Sequence, residues 1–103
     1  MVFRSITEII DMTDVIRQRR DKIMQLAEKY GAKDIRVFGS FARGDNNSES
    51  DADFLVNMEG SLLRRIAFMQ DLEDLLGRKV DVVTEKSIHW YVRERILKEA
   101  VPL

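Results

Sequence analysis

The chain has 103 residues, 45% of them hydrophobic, so we expect a single domain over residues 1–103 with one core. Its 17 Lys and Arg nearly balance its 18 Asp and Glu, and the net charge of −1 predicts no direct binding to nucleic acid. The absence of Cys excludes disulfides, thiolate catalysis and Cys-based zinc sites. There is no bilayer-length apolar run and no signal-peptide pattern, so we expect a cytoplasmic protein with no membrane partner.

The N-terminal part of the chain predicts one long helix. Ser5 to Glu8 has the spacing of a capping box, which favours a short helical turn. Apolar residues at helical spacing then predict a helix from about Asp14 to Tyr30, and Gly31 is a typical C-terminal stop. We interpret the basic residues on this helix as a solvated face, because the whole chain is not basic, and binding of a partner protein there remains open. These residues are Arg17, Arg19, Arg20 and Lys22.

Two short strands and a glycine turn form the central stretch of the sequence. The run Ile35 to Phe38 is typical of a buried strand, and the backbone must turn at Gly39-Ser40. A second strand is predicted to begin at Asp51 and to end at Val56. Because side chains alternate faces along a strand, Asp51 and Asp53 should point the same way.

A pair of neighbouring carboxylates next to a turn favours a metal site. Two like charges about 6 Å apart repel by roughly 2–3 kcal/mol at an effective dielectric constant of about 20. Such a pair either raises its pKa values or binds a cation. Oxygen ligands suit hard ions, and Mg²⁺ typically takes one or two carboxylates together with substrate phosphates. The sequence therefore predicts a divalent cation and a phosphate at this place.

A second long helix is predicted after the central stretch. Ser61 is a suitable cap for a helix that continues through Leu76, and Gly77 should end it. Its apolar residues form a wide stripe that we expect to face the core rather than a partner. They are Leu62, Leu63, Ile66, Met69, Leu72, Leu75 and Leu76.

The C-terminal part predicts a third strand, Lys79 to Thr84, and a last helix. Asp81 is out of place by propensity in this β-branched strand, and local rules often break at functional sites. Ser87 could cap a helix from Ile88 to about Val101, which Pro102 would end. The only His and the only Trp of the chain, His89 and Trp90, are interpreted as packing or surface residues.

Two other phosphate or metal motifs do not fit the central stretch. Gly39 and Gly44 have P-loop spacing, but Asp45 and Asn46 stand where that loop needs Lys and a hydroxyl residue. A calcium loop starting at Asp45 would need Gly at its sixth position, where Ser50 stands. A plain acidic surface strand would not explain a Gly-Ser turn at the end of the preceding strand.

The remaining pattern resembles the nucleotidyltransferase superfamily of DNA polymerase β type. Its signature is a strand, Gly-Ser or Gly-Gly, a spacer, Asp-x-Asp or Asp-x-Glu, and an acidic residue on a later strand. Here these are Gly39-Ser40, the spacer Phe41 to Ser50, Asp51-Ala52-Asp53 and Asp81. The Gly-Ser-x-Ala-Arg-Gly form is similar to the minimal nucleotidyltransferase (MNT) proteins. Ala52 departs from the larger aliphatic residue common in relatives, which concerns packing. The resemblance implies an α/β (α+β) fold, a small mixed β-sheet with helices packed mainly on one face.

The resemblance also implies two groups of site residues. The ATP triphosphate would be bound by Gly39, Ser40 and Arg43, although a structural ion pair with a carboxylate is the alternative for Arg43. Two Mg²⁺ ions would be held, and catalysis carried out, by Asp51, Asp53 and Asp81.

The implied activity is that of antitoxins in HEPN–MNT toxin–antitoxin pairs. Such an antitoxin would be a protein adenylyltransferase that moves AMP from ATP to a hydroxyl, typically a tyrosine, of its HEPN RNase toxin in a hetero-oligomer. One alternative is an antitoxin that neutralises its toxin by binding without catalysis. Another is nucleotidyl transfer to a small-molecule hydroxyl, which the lack of pocket-forming sequence disfavours.

Overall fold

A computed structural model describes residues 16–44 and 50–103. Helices and strands follow one another as α1 Arg20–Tyr30, β1 Ala32–Phe38, α2 Ser40–Arg43, β2 Ala52–Met58, α3 Leu62–Leu76, β3 Val80–Thr84, α4 Trp90–Glu99 and β4 Val101–Pro102. Residues 16–18 add a short helical segment before α1. The predicted capping box at residues 5–8, the start of the first helix before residue 16 and most of the polar loop lie outside the described residues.

The four strands form one mixed sheet in the order β3-β2-β1-β4. Strand β1 runs antiparallel to both β2 and β4, and β2 runs parallel to β3. Phe38 at the end of β1 pairs with Asp53 near the start of β2, and Asp53 pairs in turn with Asp81 of β3. The turn at Gly39 and the two carboxylates therefore lie at the same end of the sheet.

Side chains alternate between the two faces of the sheet, and the larger apolar set lies on one face. Phe54 and Val56 of β2 join Val82 of β3 in the main core, against residues of α1 and α3 such as Ile23 and Phe68. The opposite face carries a smaller cluster of Phe38, Leu55 and Ile96, the last from α4. Most helical packing is thus on one face, as predicted, and α4 covers part of the other face.

The caps of the two long helices agree with the sequence prediction. The backbone is left-handed at Gly31 after α1 and at Gly77 after α3. At the start of α3, the Ser61 hydroxyl accepts a hydrogen bond of 3.2 Å from the Arg64 N–H. The prediction that Leu62 and Leu63 face the core is wrong, since 60% and 77% of their surfaces are exposed. They belong to the first turn of α3, and the residues that α3 buries come later: Phe68, Leu72 and Leu76.

The last helix differs from the prediction at both ends. Ser87 does not cap it, because its hydroxyl donates to the Thr84 carbonyl (3.0 Å) and closes a turn after β3. The cap is His89, whose Nδ1 accepts the N–H of Tyr91 (3.1 Å), so α4 begins at Trp90. It ends at Glu99 because the backbone of Ala100 is extended (ψ 135°), and the following residues, Val101 and Pro102, pair with β1 as β4. His89 and Trp90 are both surface residues.

No helix in the part of the chain that the structure describes is long and apolar enough to cross a membrane.

Candidate active site

The three predicted carboxylates come together on the face of the sheet that α4 partly covers. Asp53 and Asp81 are direct partners across the parallel β2–β3 pair. Asp51 precedes β2 by one residue and shares the parity of Asp53. Asp51 and Asp81 are exposed, whereas Asp53 is half-buried. The charge of Asp51 acts on Asp53, in agreement with the prediction from alternation that these two side chains lie on one face. The place of Asp81 beside Asp53 was implied by the family resemblance and not by alternation.

The electrostatic environment of Asp53 is unfavourable to its charge. Burial has the largest effect, followed by the charges of Asp81, Asp51 and Glu99, and together they raise the pKa of Asp53 to about 6. Arg43 opposes this shift. A cation bound at this point would favour the ionised carboxylate.

The glycine turn makes room for the Asp53 carboxylate. Gly39 has φ +74° and ψ −151°, a backbone conformation that is essentially restricted to glycine. A Cβ atom at this position would overlap Asp53 Oδ2 and would lie 3.3 Å from Asp53 Cγ. The predicted role of Gly39 in binding the triphosphate stays a prediction, and what the structure shows is that the missing Cβ leaves room for the Asp53 carboxylate.

Arg43 and the Gly39 backbone share one carboxylate partner that the sequence analysis missed. Arg43 Nη1 donates to Glu99 Oε1 (2.5 Å), and the Gly39 N–H donates to Glu99 Oε2 (3.3 Å). The structure thus contains the ion pair that the sequence analysis kept as the alternative for Arg43. Nothing in the sequence identified the partner, because Glu99 follows Arg43 by 56 residues.

Arg78 is a second residue that the sequence analysis missed. Its Nη1 donates to the Ser50 carbonyl (2.7 Å), immediately before Asp51. Its guanidinium carbon lies 5.3 Å from the ring centroid of Phe41 in α2. Arg78 therefore ties the start of β2 to the short helix that follows the glycine turn.

The donor chemistry of this face suits Mg²⁺. Within residues 16–44 and 50–103, no three acidic or His side chains lie close enough to form a metal site by themselves. Mg²⁺ typically uses only one or two protein carboxylates and completes its shell with phosphate oxygens and water. Asp51, Asp53 and Asp81 could therefore supply protein ligands to an ion that substrate phosphates help to hold.

The chain matches known nucleotidyltransferases in sequence. The model of the nucleotidyltransferase domain family matches residues 10–103. A candidate protein adenylyltransferase of Methanocaldococcus jannaschii is 43% identical over 88 residues, which make up 84% of this chain and 95% of that protein. The protein adenylyltransferase MntA of Thermococcus cleftensis is 40% identical over 79 residues, covering 75% of this chain and 80% of MntA.

The fold matches as well. A solved structure of a candidate minimal nucleotidyltransferase superposes with a TM-score of 0.79 at 40% identity, covering 92% of this chain and 98% of the other. A chain of a toxin–antitoxin crystal structure with AMP-PNP superposes with a TM-score of 0.70 over 80% of this chain and 69% of its own length. At 23% identity, that second likeness concerns the fold alone. The chain therefore belongs to the nucleotidyltransferase domain family, within which it is a minimal nucleotidyltransferase and an enzyme of that class.

Proposed function

We propose that this enzyme is a Mg²⁺-dependent protein adenylyltransferase that acts as an antitoxin. It transfers AMP from ATP to a hydroxyl group, a tyrosine in our proposal, of a cognate HEPN-domain RNase toxin with which it forms a hetero-oligomer in the cytoplasm. Two relatives carry the name protein adenylyltransferase, one of them as a candidate, and a protein of the same fold is part of a toxin–antitoxin complex. The observation that carries the proposal is the pairing of Asp53 with Asp81 directly beside the Gly39 turn.

Each predicted site residue has a role in this reaction. Gly39 and Ser40 bind triphosphate oxygens through the backbone and the Ser40 hydroxyl, and Arg43 neutralises phosphate charge. Asp51, Asp53 and Asp81 hold Mg²⁺, which when bound neutralises charge on the phosphates and on the attacking oxygen.

The chemical step is an in-line displacement at the α-phosphorus. The acceptor oxygen forms a bond to this phosphorus, the bond to the β-phosphate breaks, and pyrophosphate leaves. Asp81, on the exposed edge of the carboxylate cluster, helps to remove the hydroxyl proton. Positioning and charge neutralisation supply most of the acceleration in such reactions.

The charge cluster distinguishes this proposal from an antitoxin that acts by binding alone. Burial, and then the like charges around it, raise the pKa of Asp53, so that its ionisation opposes folding at neutral pH. A protein that only binds its toxin gains nothing from this cluster, whereas a metal-dependent transferase needs it.

The test is intact-mass spectrometry of the co-expressed HEPN partner. Wild-type protein should add the mass of one or more AMP groups to the partner. Asp53→Asn should add none, and Asp74→Asn, a change at an exposed carboxylate of α3, should behave like wild type. A partner that is bound and silenced but unmodified by wild-type protein would refute the proposal in favour of binding alone. Modification of a small-molecule hydroxyl in place of the partner would favour the other alternative.

A further inference from the structure

We propose that the Glu99 carboxylate occupies the phosphate-binding groups of the nucleotide-free enzyme and that the triphosphate displaces it. Glu99 would then be a residue that sets nucleotide affinity. This inference rests on the proposed function, in which Gly39 and Arg43 bind the triphosphate.

The contacts of Glu99 resemble those expected of a phosphate group. One carboxylate oxygen accepts from the Arg43 guanidinium and the other from the Gly39 N–H. Arginine recognises carboxylate and phosphate oxygens with the same planar set of donors, so each can replace the other. The Glu99 side chain is only 16% exposed, whereas that of Arg43 is 50% exposed. The carboxylate therefore lies inside the site and the cation lies at its rim.

The backbone on either side of Glu99 is held in place. The Ala100 N–H donates to the Ile96 carbonyl (2.9 Å) and closes the last turn of α4. Beyond it, Val101 pairs with Val37, and the Leu103 N–H donates to the Ile35 carbonyl (3.0 Å). Displacement of Glu99 therefore requires rotation of its side chain and leaves α4 in place.

Charge gives the direction of the effect. Glu99 adds a fourth negative charge beside Asp53, Asp51 and Asp81, and its field contributes to the raised pKa of Asp53. A triphosphate that approaches Arg43 meets this charge and must also compete with it for the guanidinium. Removing the charge of Glu99 while keeping an acceptor oxygen should therefore strengthen nucleotide binding.

The test is calorimetric titration of a non-hydrolysable ATP analogue into wild-type protein and the Glu99→Gln variant, with Mg²⁺ and without it. We expect the Kd of Glu99→Gln to be about 5- to 10-fold lower under both conditions, since the ion pair with Arg43 becomes a weaker hydrogen bond to an uncharged amide oxygen. Glu94→Gln is the matched control, because Glu94 is exposed on the same helix and pairs with Lys98 (3.1 Å). Its Kd should stay within about twofold of wild type.

Each other outcome counts against the inference. An unchanged or higher Kd for Glu99→Gln without Mg²⁺ would overturn displacement, and weaker binding only with Mg²⁺ would identify Glu99 as a metal ligand. Absence of binding by wild-type protein would overturn both this inference and the proposed function, whereas equal binding by wild type and variant would overturn the inference alone. Thermal melts establish that each variant is folded, and Glu99→Ala, which should also bind more tightly, provides a second variant.

Discussion

Replacement of Asp53 by Asn should stabilise the metal-free enzyme and abolish its activity. The pKa of Asp53 is raised from 3.8 to about 6, mainly by burial and then by the neighbouring carboxylates. A shift of this size corresponds to about 3 kcal/mol of destabilisation when the group is ionised. Because the carboxylate is only half-buried, screening by solvent reduces this to about 1–2 kcal/mol.

The pH dependence of this gain has a definite sign. The folded state holds the Asp53 proton more tightly than the unfolded state does, so ionisation costs folding free energy. That cost is absent below pH 3.8, grows between 3.8 and about 6, and is complete above this range. Asp53→Asn should therefore be more stable than wild type at pH 7.5, and the difference should shrink towards pH 4.

Urea denaturation in EDTA at pH 7.5 and pH 4 measures this difference. At pH 7.5 the melting temperature of Asp53→Asn should also rise, by roughly 5–10 °C for a domain of this size. Asp74→Asn is the control, and its stability should change by less than about 0.5 kcal/mol. Equal or lower stability of Asp53→Asn at pH 7.5 would refute the reasoning about charge repulsion.

Activity of the same variant tests the metal assignment. Asp53→Asn should lose at least about 10²-fold in transfer, as is typical when one electrostatic group is removed from a site. Added Mg²⁺ should stabilise wild type more than the variant, because a ligand stabilises a protein only in proportion to its binding. Full transfer activity in Asp53→Asn would contradict the two-metal assignment.

Three further substitutions test the support around the carboxylates. Gly39→Ala should cost about 2 kcal/mol or more by urea denaturation and abolish transfer. Gly77→Ala is the comparison, because Gly77 also has a positive φ (+67°) and no atom lies within 4 Å of the new Cβ. Gly39→Ala should cost more than Gly77→Ala, because it adds both the overlap with the carboxylate and the strain of a ψ of −151° in place of 28°. Arg78→Lys keeps the charge but loses the planar donor set that holds the carbonyl of Ser50, the residue before Asp51. The kcat should therefore fall about tenfold, with little change in the KM for ATP. A larger effect on KM than on kcat would contradict a positioning role. Trp90→Ala removes a side chain that is 78% exposed. The stability of this variant, followed by circular dichroism during denaturation, should stay within about 0.5 kcal/mol of wild type. A larger loss of stability would indicate that Trp90 has a packing role.

The carboxylate cluster could be predicted from the sequence because it depends on local periodicity. Alternation placed Asp51 and Asp53 on one face, and the break in propensity identified Asp81 as a candidate site residue. The pairing of its strand with β2 was implied by the family resemblance. The glycine turn was also a local feature. Each of these signals lies within a few residues of the group that it identifies.

Contacts between distant parts of the chain could not be predicted in this way. Glu99 lies in a helical sequence whose charged residues are typical of an exposed helix. Its contacts with Arg43 and Gly39 form only because α4 packs against Phe38 and Leu55. The strand β4 has two residues and includes a Pro, so it carries no periodicity. The predicted start of α4 was wrong because two residues separated only by Ile88, Ser87 and His89, both have capping side chains, and the turn with Thr84 uses Ser87.

The position of the site follows from how unequally the two faces of the sheet are covered. On β2, even-numbered residues such as Phe54 face α1 and α3 and are fully buried, so a carboxylate there would lose nearly all its hydration. Odd-numbered positions face the side that α4 partly covers, where Asp53 keeps partial access to water and its pKa rises only to about 6. Partial cover therefore lets a carboxylate be held rigidly on a strand and still remain ionisable. The same helix that provides this cover brings Glu99 to the glycine turn, which couples the packing of α4 to the charge of the site.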